Sequence, residues 1–123
     1  MVNTNMNVYV DGSGAGSWCF YVVETASVRK GHMNNPTNNK TEYQAIIQAL
    51  EYLQNTASKS ITIHSDSQLV VNQINHEYNI KDAELLELAM KVWALIEEHV
   101  KHNTQVTIVW VPRELNKAGK ILG

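Results

Sequence analysis

Three carboxylates stand where chemistry is expected: Asp11, Glu42 and Asp66. Asp11 ends the short apolar, β-prone run Val8-Tyr9-Val10 and opens the glycine-rich turn Asp11-Gly12-Ser13-Gly14-Ala15-Gly16-Ser17. Asp66 ends the strand-like run Ser60–Ser65 and faces a helix start. Glu42 falls in the first turn of a helix that follows a polar loop. Only three of the twelve acidic residues are aspartates, the third being Asp82. Carboxylates at strand ends are costly to bury, so this placement is informative. Ligands of open α/β sheets gather outside the carboxyl ends of strands. If the strands ending at Asp11 and Asp66 are parallel neighbours, the two aspartates lie side by side. Like charges at one edge repel, and a divalent cation is the usual reason to tolerate them. Oxygen ligands select magnesium or manganese over zinc. Two such ions about 3.5–4 Å apart suit in-line phosphodiester cleavage. Each acid also has a plainer role open to it. Asp66 could cap the helix from Ser67, Asp11 could start a turn, and Glu42 could favour a helix N-terminus.

The elements that must position these groups follow from periodicity. Trp18 to Glu24 and Ser27 to His32 read as two strands around a turn at Thr25-Ala26. A polar loop, Met33 to Asn39, supplies the cap candidates Thr37, Asn38 and Asn39. A helix pattern begins at Thr41, with Tyr43, Ile46, Ile47, Leu50 and Leu53 at helical spacing. Val70, Val71 and Ile74 mark a short helix after Asp66. A longer helix fits Asp82 to Lys101, with Asp82 placed to cap it. Gln105 to Val111 is a last strand, stopped by Pro112, and Glu114 to Gly123 a final helix. The order predicts an α/β fold: a mixed sheet with an antiparallel meander, then parallel additions, and helices packed against it.

Composition narrows the class. The 123 residues fit one domain, 1–123, which buries roughly two thirds of its unfolded surface. One cysteine, Cys19, excludes an internal disulfide and a paired-cysteine zinc site. Apolar residues at 44% and charged residues at 18% fit a globular chain rather than a disordered one. A net charge of −2 argues against a broad basic surface for nucleic acid. It leaves room for nucleic acid held by a few placed contacts and metal ions. The start, Met1 to Asn7, lacks the basic and apolar regions of a signal peptide. No stretch approaches the ~18 apolar residues of a membrane helix. A soluble, cytoplasmic, monomeric protein without membrane contact is expected.

Four segments resemble the motifs of type 1 ribonuclease H: Val10-Asp11-Gly12-Ser13, Thr37-Asn38-Asn39-Lys40-Thr41-Glu42, Ser65-Asp66-Ser67-Gln68 and Trp110-Val111-Pro112-Arg113-Glu114. The similarity runs from about Val8 to the end. It implies a five-stranded mixed sheet flanked by helices. It implies an endonuclease that cuts the RNA strand of an RNA/DNA hybrid, leaving 5′-phosphate and 3′-hydroxyl ends. Asp11, Glu42 and Asp66 would bind two magnesium ions, with manganese a possible substitute. Gly12 and Ser13 would approach the RNA strand near the scissile phosphate. Asn38, Asn39 and Gln68 would reach sugars and base edges in the minor groove, where 2′-hydroxyls mark RNA. Thr37 would help hold a DNA phosphate. A catalytically impaired hybrid-binding module of the same fold is the alternative. A proofreading exonuclease would carry Asp-x-Glu where Asp11-Gly12-Ser13 stands.

The chain departs from that pattern in three places. Between Ile74 and Leu85, where many relatives carry a basic handle, it has Asn75-His76-Glu77-Tyr78-Asn79-Ile80-Lys81-Asp82. Trp93, on the apolar stripe of the helix that follows, reads as core rather than as a substrate platform. Arg113 stands where many relatives have a histidine; as a substrate-binding residue it would act by charge alone, with a plain surface arginine as its other reading. None of the five histidines matches that position, and surface or edge sites are expected for them. Finally, the family's fourth carboxylate is missing: alignment places Lys120, or with a slip Gly119, at its position. Asn116 is the candidate to take the fourth catalytic position, directly or through water, with a helix cap as its plainer role.

Overall fold

Alternation along the first strand shows how the sheet separates its faces. The computed structural model describes residues 5–122. In β1 (Asn5–Gly12), Met6, Val8 and Val10 are buried while Asn5, Asn7, Tyr9 and Asp11 face the other side. The strand starts before the apolar run. Asparagine is a poor strand former, but Asn7 donates its backbone N–H and its side-chain amide to the Glu24 carboxylate, at 2.6 and 2.9 Å. Asn5 Oδ1 accepts from the Ser60 hydroxyl at 2.7 Å.

The other strands are β2 (Ser17–Val22), β3 (Ser27–His32), β4 (Ser60–Ser65) and β5 (Gln105–Trp110). They form one sheet in the order β3-β2-β1-β4-β5. β1, β2 and β3 pair antiparallel, and β4 and β5 add in parallel, as the sequence predicts. The β1–β2 turn is tighter than expected, spanning 13–16, with Gly16 at φ 97°.

The helices are α1 (Asn38–Tyr52), α2 (Gln68–Ile74), α3 (Ala83–Lys101) and α4 (Lys117–Leu122). α1 packs on β1 and β2, α3 packs on α1, and α4 lies against β1 and β2. The core joins Val8, Val10, Phe20, Ile61 and Ile63 of the sheet to Tyr43, Ile46 and Leu50 of α1 and Val92 of α3. Asp82 caps α3 as expected, its Oδ1 accepting from Glu84 N at 2.9 Å and Leu85 N at 3.0 Å. Trp93 packs against the core and donates to the Ile74 carbonyl.

Several expectations need correction. α1 begins at Asn38 with Thr37 as its cap, so Glu42 lies in the second turn, not the first. The final segment is not one helix: a 3₁₀ turn at Arg113–Leu115 precedes Asn116 and α4. His99 is buried, its Nε2 bonded to the Leu50 carbonyl at 2.9 Å, rather than at the surface. Residues 1–4, part of the start that lacks signal-peptide features, and Gly123 lie outside the described residues. Among the described residues, no helix is long and apolar enough to cross a membrane.

Candidate active site

The parallel pairing of β1 with β4 brings the two aspartates together. Tyr9 is level with His64, so Asp11, near the end of β1, and Asp66, just past the end of β4, come side by side. Glu42 enters from α1. One carboxylate oxygen from each of Asp11, Glu42 and Asp66 lies within 4.8 Å of the others.

Close backbone approach fixes Glu42. A Cβ on Gly12 would lie 2.5 Å from the Thr41 carbonyl carbon, so only glycine lets the end of β1 abut α1. Gly12 N–H donates to Glu42 Oε1 at 3.1 Å, and the Ser65 hydroxyl donates to Oε2 at 3.4 Å. Ser13 closes the adjoining turn, its N–H donating to the Ser17 carbonyl and its Oγ accepting from Ser17 N. A Cβ on Gly14 would lie 2.9 Å from Asn38 Oδ1, so the glycine turn and the start of α1 are in contact.

Asn116 is fully buried beside the triad. Its Nδ2 donates to the Val10 carbonyl and to Asp66 Oδ2, both at 2.9 Å. Its Oδ1 accepts from Ala118 N at 3.0 Å and Gly119 N at 3.4 Å, capping α4. The reverse orientation would set an amide oxygen against a carbonyl and a carboxylate, so the partners decide it. Asn116, expected at the fourth position directly or through water, thus stands beside the acids and bonded to Asp66. Its oxygen is committed to the helix start, and the group it presents to Asp66 is a donor.

Asp11, Gly12, Ser13, Asn38, Asn39, Glu42, Asp66 and Arg113 line one cleft of about 710 Å³, together with Gly14, Ser67, Glu114, Gly119 and Lys120. Thr37 and Gln68 are not in its lining. Thr37 spends its hydroxyl accepting from Lys40 N, and Gln68 is exposed at the first position of α2. Ser67 caps α2, which leaves Asp66 free of that role. The contributions of Ser65 and Gly14 were missed. A glycine-rich turn and a Ser-Asp-Ser run were the signals available.

Burial, and then the negative charge of Asp11, push the Glu42 carboxyl up to about 9. Burial, and then the charge of Asp66, also raise Asp11, against the pull of the Arg113 guanidinium. The proton retained on Glu42 is what a divalent cation would replace. The donors are all carboxylate oxygens, which suits a hard cation such as magnesium or manganese.

The RNase H family model matches residues 3–115 of the chain. A ribonuclease H from Caldicellulosiruptor saccharolyticus is 32% identical over 114 residues, covering 80% of this chain and 77% of that protein. Among solved structures, LC11-RNase H1 in complex with an RNA/DNA hybrid superposes with TM-score 0.81 at 26% identity, over 94% of this chain and 91% of that one. RNase H1 from the halophilic archaeon Halobacterium salinarum NRC-1 superposes with TM-score 0.79 at 25% identity, over 96% and 93%.

Proposed function

Because the chain belongs to the RNase H family and is a ribonuclease H hydrolase, we propose that it cuts the RNA strand of RNA/DNA hybrids internally, by two-metal-ion catalysis with magnesium. The products are a 5′-phosphate and a 3′-hydroxyl. The observation that carries this reading is the meeting of Asp11, Glu42 and Asp66, from three separate elements, in a cleft also lined by Asn38 and Asn39.

When bound, the cations supply the charge that activates water and stabilises the leaving 3′-oxygen. The chain's own residues do the rest. Asp11, Glu42 and Asp66 hold the cations. Gly12 N–H and Ser65 orient Glu42, and Asn116 orients Asp66. Asn38 and Asn39, with Gln68 at the edge, address the minor groove, where the 2′-hydroxyl separates RNA from DNA. Gly12 and Ser13 lie along the RNA strand, Thr37 faces a DNA phosphate, and Arg113 adds positive charge at the rim. The hybrid seen with LC11-RNase H1 supports this choice of partner. Residues 75–82 contain no helix or strand, and Lys40 is paired with Glu84, so affinity rests on placed contacts rather than a basic handle. The protein is read as a cytoplasmic monomer, and the free, buried Cys19 suits that compartment.

One observation favours the alternative, a hybrid-binding module impaired in cutting: neither Gly119 nor Lys120 supplies a fourth acid. Incubation of a labelled hybrid with magnesium or manganese separates the two. The proposal expects cutting of the hybrid's RNA strand, little cutting of RNA duplex, DNA duplex or single strands, and none by Asp66→Asn. Binding without cutting by the unaltered protein would establish the alternative.

A further inference from the structure

We propose that Lys120 contacts a phosphate of the RNA strand, on the side of the cleft where the family's fourth acid would stand. This rests on the function proposed above and goes beyond it.

The start of α4 is fixed by the hydrogen bonds of Asn116. Asn116 pins the helix start to the Val10 carbonyl and to Asp66 while capping Ala118 and Gly119. Ala118 is buried. Gly119 turns toward the acids: a Cβ there would lie 3.6 Å from Asp11 Oδ2, at ordinary contact distance. Lys120 comes next, exposed and lining the same cleft. With the Asn116 oxygen used in the cap, α4 offers this site no side-chain oxygen ligand.

What α4 offers instead is an ammonium. Among the described residues, no carboxylate forms an ion pair with Lys120. The other lysine of α4 has a different fate, with Lys117 Nζ lying 5.5 Å from the centre of the Tyr9 ring. Cations held by Asp11, Glu42 and Asp66 would repel the Lys120 ammonium from those acids. The anionic groups that the substrate brings into the cleft are phosphates. A lysine meets them as a point charge with rotatable donors.

Binding of a labelled RNA/DNA hybrid in an Asp66→Asn background, which blocks cutting, tests the assignment by anisotropy over a range of salt concentrations. Lys120→Gln should weaken binding about tenfold and lower the slope of log affinity against log salt by about 1. Lys120→Arg should preserve both, and Lys117→Gln should leave both unchanged. If the Lys120→Gln protein matches its parent in affinity and slope, the assignment of Lys120 is overturned while the proposed function stands. If the parent shows no preference for the hybrid over DNA duplex, the proposed function falls, and the Lys120 assignment with it.

Discussion

Asn116 Nδ2 donates to Asp66 Oδ2 at 2.9 Å, joining residues 50 positions apart, while the other end of the same amide caps α4. One side chain thus sets both the direction of an acid and the start of the helix beside it. Asn116→Ala removes a buried donor pair and a cap, so it should lower stability by about 2–4 kcal/mol. It should also slow hybrid cutting, because Asp66 loses its fixed orientation. Urea denaturation and a cleavage assay on the same preparation check this. An unchanged rate in a destabilised protein would reduce Asn116 to a structural cap.

Gly12 carries a steric demand that no flexible neighbour relieves. The atoms that meet an added Cβ are the Thr41 carbonyl and Glu42 N, all backbone. Gly12→Ala should cost at least the roughly 1–3 kcal/mol typical of an overpacked core. It should also displace Glu42, whose Oε1 accepts from Gly12 N–H. Weaker magnesium binding in calorimetry, alongside the lower melting temperature, is the expected pair of results.

The raised carboxyls make the cation-free protein sensitive to alkali. Glu42, at about 9 when folded against an ordinary 4.5, keeps a proton that the unfolded chain releases. Between those values the folded state binds more protons, so stability falls as pH rises. The contribution is full below about 4.5 and gone above about 9. Melting curves in chelator across that window should show the decline. Millimolar magnesium should shrink it, because binding to the native state alone is stabilising. Glu42→Gln should flatten it, and an equal slope in that variant would refute the assignment to Glu42.

Lys120→Asp exchanges an ammonium for an acid beside the triad. It should tighten magnesium binding several-fold, since ligand charge raises affinity for a hard cation. It should also weaken hybrid binding, through loss of the phosphate contact. Calorimetry with magnesium alone, then anisotropy with the hybrid, separates the two effects.

Asp11 and Asp66 were legible because they terminate apolar, strand-like runs, and strand termini in such sheets are where ligands gather. The order of strands was legible from the meander followed by alternation with helices. Other features depended on partners far away in sequence. β1 takes in Asn5 and Asn7, ahead of the apolar run, because Ser60 and Glu24 bond asparagines that local propensity disfavours. His99 is buried because it lies on the inner stripe of α3, seven residues after Val92, with the Leu50 carbonyl waiting for its ring. A residue type at that spacing gives no notice of such an acceptor. The orientation of Asn116 likewise depends on a carbonyl and a carboxylate brought to it by the fold.

The central parallel pair has a consequence for how the protein acquires its activity. β1 meets β4 across 55 positions, from Asn5 to Ser60, so a large loop closes before that ladder forms. Contacts of such long range slow folding. Asp11 and Asp66 lie on opposite sides of that closure, so the three acids meet only once the β1–β4 ladder has formed. Cutting power should therefore return in refolding together with that ladder and not before it.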